Sequence, residues 1–322
     1  MRIRHACVAA AVAGLLAGAA VLTPQAASAA SPPLSDVRIV AHFDFADGQT
    51  PENITLLPNG SADVSLSLAR EIAHVGPHGK VRVLATLPVP GSGAVTPVIK
   101  GAFVGGIVRA GNGTVYFLYA AGTATLTGVW ELHPGSGPRR IAALPANSLP
   151  NGLALDAAHG YLYVADSVLS TVWRIPVTGG RAIAWATGPA LAPAGYLGAN
   201  GIKVWGGAVW VSNTDHGTAV RIPVTRHGTT GWARVVASGL GGIDDFAFTG
   251  RGDTLIAALD QPNMVALVRP NGTHTIVLTA TDGLQSPSAI AVRGCTVYVT
   301  DAAYNTGKDP DLLTAHLTGG AR

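Results

Sequence analysis

Residues 151–165 read NGLALDAAHGYLYVA: a polar residue, a glycine, a short apolar run, a turn around Gly160 and a second apolar run. Runs of four to eight residues rich in Val, Ile, Leu, Tyr and Trp, bounded by Gly, Pro and Asn, are the signature of strands joined by tight turns. The stretch is not isolated. NGIKVWGGAVWVS at 200–212, DDFAFTGRGDTLIAA at 244–258 and SAIAVRGCTVYV at 288–299 repeat the pattern, as do ENITLLPNGSADVS at 52–65 and GGIVRAGNGTVYF at 105–117. Further strand candidates follow the second run, such as TVWRIPV at 171–177, TAVRIPV at 218–224 and ARVVAS at 233–238. Almost no sustained 3.6-residue periodicity occurs outside the first thirty residues, so the fold is expected to be all-β.

The six units begin at Glu52, Gly105, Asn151, Asn200, Asp244 and Ser288, with spacings of 53, 46, 49, 44 and 44 residues. A repeat of about 40–50 residues carrying four strands predicts a six-bladed β-propeller. The last unit has only 35 residues from Ser288 to Arg322, about one strand short. DVRIVAHFDF at 36–45 precedes the first unit, and as an N-terminal strand it would close the ring and remove an exposed sheet edge.

The chain has 322 residues. Residues 1–29 read as a signal peptide: Arg2 and Arg4, an Ala/Val/Leu stretch ended by Pro24, and Ala27-Ser28-Ala29 as a small-residue cleavage site. A secreted mature protein is therefore expected, with residues 30–322 forming a single propeller domain. Without the leader, 19 Lys and Arg face 18 Asp and Glu, a net charge of +1. With no stripe of basic and aromatic residues, that balance argues against nucleic acid. No second apolar stretch approaches the length of a membrane span, so no membrane partner is expected after cleavage. Only Cys295 remains, so no intramolecular disulfide can form. A monomer acting on a small molecule is the expectation. There is no G-x-S-x-G elbow, H-E-x-x-H pair, phosphate loop or zinc spacing. Arg251-Gly252-Asp253 falls at the turn between two strands and reads as a turn.

In a propeller the first strand of each blade lines the central channel, so the six starting positions form a ring at one mouth. Glu52, Asn151, Asn200 and Asp244 offer oxygen donors there. Taken alone, an Asn-Gly pair is a common turn dipeptide; four ligand-type residues at equivalent positions of different repeats point to a cation. Two carboxylates and two carboxamides suit a hard divalent ion, Ca2+ ahead of Mg2+ or Mn2+, and the absence of His and Cys disfavours zinc.

These motifs, PEN with Glu52, PNG with Asn151, ANG with Asn200 and IDDF with Asp244, resemble those of the SMP-30/gluconolactonase/LRE family, from about residue 37 to the end. The likeness is strongest in LPNGLALDAAHGYLYVADSVLSTVWRI at 149–175. It implies a six-bladed propeller whose Glu, Asn, Asn and Asp hold a catalytic cation, often calcium, in lactonases and related phosphotriesterases. The sequence departs from the family in PEN, where relatives have Gly after the Glu, and shows no counterpart of the substrate-binding arginine. Arg109 lies within a strand.

The expected activity is metal-dependent hydrolysis of lactones or related esters, with Asp244 both binding the ion and accepting a proton from water, or attacking directly. Asp245 is expected to point away, because neighbouring strand residues alternate in direction. Loops after the second strands place Asp166, Ser167, Asn213, Asp215, His216, Asp260 and Asn263 near the same mouth. Of these, Asp166, Asn213 and His216 are taken with Tyr196 as substrate-binding candidates, and residues 89–104 as a lid. The competing readings are a non-catalytic secreted binding or scaffold propeller, and a phosphotriesterase-like hydrolase.

Overall fold

Each repeat folds into a four-stranded antiparallel sheet whose strands follow one another in chain order, except in the last. The computed structural model describes residues 33–318, and the leader expected at 1–29 lies outside them. Six such sheets are the blades of a six-bladed β-propeller, as the repeat predicts. No α-helix occurs among the described residues; two short 3-10 turns, Pro189–Leu191 and Ala280–Asp282, sit in connections. The innermost strands are Pro51–Leu56, Phe103–Arg109, Pro150–Asp156, Ala199–Trp205, Ile243–Phe248 and Pro287–Arg293.

Blade 6 draws on both ends of the chain. Its inner three strands are Pro287–Arg293, Thr296–Asp301 and Asp311–Leu317, and its outermost strand is Leu34–His42, antiparallel to Asp311–Leu317. The ring is thus closed by the N-terminal strand. Closure leaves no blade interface unpaired.

Apolar side chains that alternate along the strands meet between neighbouring blades. Six buried clusters fill the six interfaces; one joins Ile54, Val64 and Leu66 of blade 1 to Tyr298 and Leu312 of blade 6. Others join blade 3 to blade 4 through Tyr163, Trp185, Ile202 and Val211, and blade 5 to blade 6 through Ile256, Leu267, Val297 and Leu313. A seventh, smaller cluster of Phe103, Ala120, Leu149 and Leu197 lies against Val98 and Ile99 of the 89–104 connection. Burial of this kind, at about 25 cal/mol per Å2, holds the blades in register without a disulfide. Cys295 is free and exposed.

The inner strands share one irregularity that matters for function. Every one slips register against its neighbour near its start: between Pro51 and Asn53, Val104 and Ile107, Pro150 and Leu153, Ala199 and Ile202, Ile243 and Phe246, and Pro287 and Ala289. The six repeat-starting residues all lie inside these irregularities. Such bulges re-aim a side chain that a regular ladder would hold in the pleat.

Candidate metal centre

Glycines behind the ring bring the inner strands close together. A Cβ on Gly152 would stand 2.2 Å from the Asn200 carbonyl oxygen, and one on Gly201 would stand 2.7 Å from the Asp244 carbonyl oxygen. A Cβ on Gly105 would meet the Asn151 carbonyl oxygen at 2.6 Å. The two Asn-Gly pairs are therefore not turns. They lie in extended strands, and their glycines let each inner strand approach the next.

Buried hydroxyls fix the backbone just before the ring residues. Ser167 Oγ donates to the Ala199 carbonyl at 2.8 Å, Thr214 Oγ1 to Ile243 at 2.8 Å and Ser288 Oγ to Pro51 at 2.7 Å. Each bond runs from one blade to the residue preceding Asn200, Asp244 or Glu52 in the next. Thr214 Oγ1 also accepts from Asn200 Nδ2 at 2.9 Å, which orients that carboxamide. Tyr304 Oη donates to Glu52 Oε2 at 2.6 Å and meets Ser67 Oγ at 2.5 Å, and Ser67 in turn meets Thr50 Oγ1 at 2.6 Å.

Glu52, Asn151, Asn200 and Asp244 line one cavity of about 390 Å3. Its remaining polar wall is Thr214, Asp260, Gln261, Tyr304 and Asn305, and Leu68, Val98, Ile99, Phe103 and Leu197 make an apolar wall beside Tyr196. The 89–104 connection thus supplies part of that apolar wall, and Val98 holds a left-handed backbone, φ 59°, uncommon for a β-branched residue.

The ring carboxylates are held far from their ordinary behaviour. Desolvation, then repulsion from Asp260 and Asp245, pushes Glu52 up to about 8, against the lowering effect of the Tyr304 hydrogen bond. Asp244 is raised well above the usual range by desolvation first and by Glu52, Asp260 and Asp245 next, with Asn200 acting the other way. Desolvation raises Asp260 to about 6 despite hydrogen bonds from Asn305 and Ser286. Burial also raises the Tyr196 phenol, helped by repulsion from Asp260, Asp244 and Glu52.

Asp245 points elsewhere. Both its oxygens accept from Lys203 Nζ at 2.6 Å, and Asn53 Nδ2 donates to it at 3.1 Å. Lys203 and Asn53 also line a second cavity, which Asp244 does not reach.

Of the substrate candidates, Tyr196 lines the cavity and the others do not. Asp166 is fully buried and accepts from the backbone of Leu149, Val168 and Leu169 and from Trp173 Nε1 at 3.0 Å. Asn213 Nδ2 donates to the carbonyls of Ala190 and Ala192, and its Oδ1 accepts from the His216 backbone. The His216 side chain is exposed outside the cavity. Asn213 works with Asp215, whose Oδ2 accepts from the Ala194 and Tyr196 backbones, to hold the loop that presents Tyr196. Asp260, Tyr304, Asn305 and Thr214 are the cavity residues that the ring pattern alone does not single out. Arg251-Gly252-Asp253 forms a turn, with Gly252 at φ 56°.

Among the described residues no three His, Cys, Asp or Glu side chains group tightly enough to hold one ion together. The ring's donor set is two carboxylates completed by two carboxamides. These oxygens still fit a divalent cation on chemical grounds. Glu52 and Asp244 are buried, repel one another, and no Lys, Arg or His lines their cavity. Desolvation and repulsion of this kind are relieved by a proton or by a bound cation, and hard oxygen donors suit calcium among cations.

No protein-family model and no curated protein matches the sequence. The fold has many solved counterparts. The calcium-binding protein regucalcin from Agrobacterium tumefaciens aligns with a TM-score of 0.63 at 15% identity, over 86% of this chain and 93% of that one. A gluconolactonase from Xanthomonas campestris aligns with a TM-score of 0.62 at 15% identity, over 84% and 88%. Virginiamycin B lyase from Staphylococcus aureus aligns with a TM-score of 0.58 at 14% identity, over 88% and 99%. At such identities the shared property is architecture: the chain is a six-bladed β-propeller, a fold similar to that of regucalcin and gluconolactonase.

Proposed function

We propose that the protein is a divalent-cation-dependent hydrolase of lactones or related esters, acting as a secreted monomer on a small molecule. The observation that carries this reading is the convergence of Glu52, Asn151, Asn200 and Asp244, each on a bulge of a different inner strand, around one cavity. Gluconolactonase and regucalcin among the structural neighbours support it.

Glu52, Asn151, Asn200 and Asp244 would hold the ion, calcium ahead of magnesium or manganese. When bound, it would polarise the ester carbonyl and stabilise the developing oxyanion. The chain's own groups do the rest. Tyr304 and Thr214 orient Glu52 and Asn200. Asp244 takes a proton from the attacking water or attacks directly, and Asp260, raised to about 6, is a second carboxylate at the cavity for proton transfer near neutral pH. The apolar wall of Val98, Ile99, Phe103 and Leu197 excludes water and seats the hydrocarbon part of the substrate. With no cationic side chain at the cavity, the substrate class is a neutral lactone with an apolar portion.

The test is hydrolysis of neutral alkyl lactones, phosphotriesters and aryl esters side by side, with calcium and with chelator. Lactone turnover is expected to fall at least about a hundredfold on chelation and in Asp244→Ala. Full activity in the chelated protein overturns the reading. Faster turnover of phosphotriesters would replace the substrate class and keep the metal centre.

A further inference from the structure

Blade 6 carries a feature that no other blade has. Asp301, at the end of its second strand, is paired across the ladder with Asp311, at the start of its third, and Asp311 is paired on its other side with His42 of the N-terminal strand. Like charges placed directly opposite destabilise a sheet. The equivalent pairs in blades 3 and 4 are Asp166 with Thr171, where one partner is neutral, and Asn213 with Thr218, where both are.

The hydrogen bonding differs in the same way. Both oxygens of Asp166 are satisfied, by three backbone N–H groups and the Trp173 indole. Asp301 Oδ1 accepts from the Gln285 backbone at 2.9 Å, but Asp301 Oδ2 and both oxygens of Asp311 meet no donor among the described residues. Both residues are 0% exposed. Buried carboxylate oxygens without partners are among the costliest arrangements in a folded chain. Burial raises Asp301 to about 7 and Asp311 to about 8, and the charges acting on Asp311 are those of Asp301 and Asp309, both negative. Asp309, at φ 50°, stands at the exposed side of the pair, held by His42 Nδ1 at 2.6 Å.

We infer that Asp301 and Asp311 hold a second divalent cation, of calcium type, at the seam where the two ends of the chain close the ring. Three unpartnered oxygens on two carboxylates give a hard anionic donor set, which water would complete. The ion would clamp both ends of the segment from Ala302 to Pro310. That segment delivers Tyr304 to Glu52 at 2.6 Å and Asn305 to Asp260 Oδ1 at 3.1 Å. The seam ion thus supports ring closure and positions two residues of the central cavity.

The experiment is calcium stoichiometry by equilibrium dialysis and metal analysis on the whole secreted chain, with melting temperature as a second readout. Glu52→Gln combined with Asp244→Asn disables the central ring. That variant is expected to retain one equivalent of calcium and to melt higher when calcium is added. Adding Asp311→Asn should remove both the equivalent and the thermal response. Should Asp311→Asn fold poorly, Asp311→Thr reproduces the neutral pairing of blade 3 and serves the same purpose. A ring-disabled chain that retains no calcium overturns the seam site, as does equal retention with and without the Asp311 change. A calcium-free Asp311→Asn chain that melts higher than its parent, with no calcium response in either, assigns the pair a shared proton instead and likewise overturns it. Failure of the central ring to bind would appear separately, as the same calcium content with and without Glu52→Gln and Asp244→Asn.

Discussion

At the residue scale the chemistry is concentrated in Glu52. A glutamate at the start of an apolar strand is an ordinary solvated charge until the fold buries it, leaving 4% exposed and facing two other carboxylates. Its position is set by Tyr304, which donates to Oε2 and is itself held by Ser67. Removing that hydroxyl keeps the charge and loosens the geometry, whereas Glu52→Gln keeps the geometry and removes the charge. Tyr304→Phe is therefore expected to weaken calcium binding by about 10–100-fold, as loss of a ligand's supporting hydrogen bond does. Glu52→Gln should weaken it further. Calorimetric titration on the two variants orders them; unchanged affinity in both would show that the ring is a set of strand ends and not a metal centre.

At the element scale the site depends on bulged inner strands lying close enough that four of them aim Glu52, Asn151, Asn200 and Asp244 at one cavity. Gly152 has no room for a methyl group, because its Cβ would stand 2.2 Å from the Asn200 carbonyl oxygen, a rigid backbone neighbour. Gly152→Ala is expected to cost about 1–3 kcal/mol, the usual range for overpacking, and to lower calcium affinity by displacing Asn200. Gly111→Ala is its control, since a Cβ there meets nothing within 4 Å. Thermal melting and calcium titration of the two variants decide whether strand spacing governs the ring. The same elements show what the sequence makes legible. Strand alternation, Gly turns and the repeat are local signals, so the blades, their closure and the positions of Glu52, Asn151, Asn200 and Asp244 can all be read in advance. The residues that brace the ring and complete the cavity are less legible, and the reason is a one-residue offset. Asp166 and Asn213 end their second strands, paired with Pro150 and Ala199, and turn to satisfy backbone groups. The next residue in each blade, Ser167, Thr214 or Asp260, faces the neighbouring inner strand or the cavity. With a side-chain period of two, that offset exchanges a structural role for a functional one. Tyr304 lies 252 residues from Glu52 and has no counterpart signal in the other repeats.

At the scale of the whole molecule the carboxylates decide how stability depends on pH. Glu52 is raised to about 8, Asp260 to about 6, Asp301 to about 7 and Asp311 to about 8, desolvation being the largest cause in each. In an unfolded chain these groups titrate near 4. Between those values the folded protein binds more protons than the unfolded one, so stability falls as pH rises. The contribution is fully present below about pH 4 and is lost as pH climbs through the folded values, toward about 8. Chelated protein is therefore expected to melt progressively lower from about pH 5 to about pH 8, with each kcal/mol lost read as roughly 2–4 °C. Excess calcium should flatten the slope, because bound cations favour the ionised carboxylates and stabilise the folded state by mass action. Melting curves at stepped pH with chelator and with calcium measure both slopes. A chelated protein as stable at pH 8 as at pH 5 would mean that these carboxylates are solvated in solution, and neither the central ring nor the seam would then carry the charge deficit that calls for a cation.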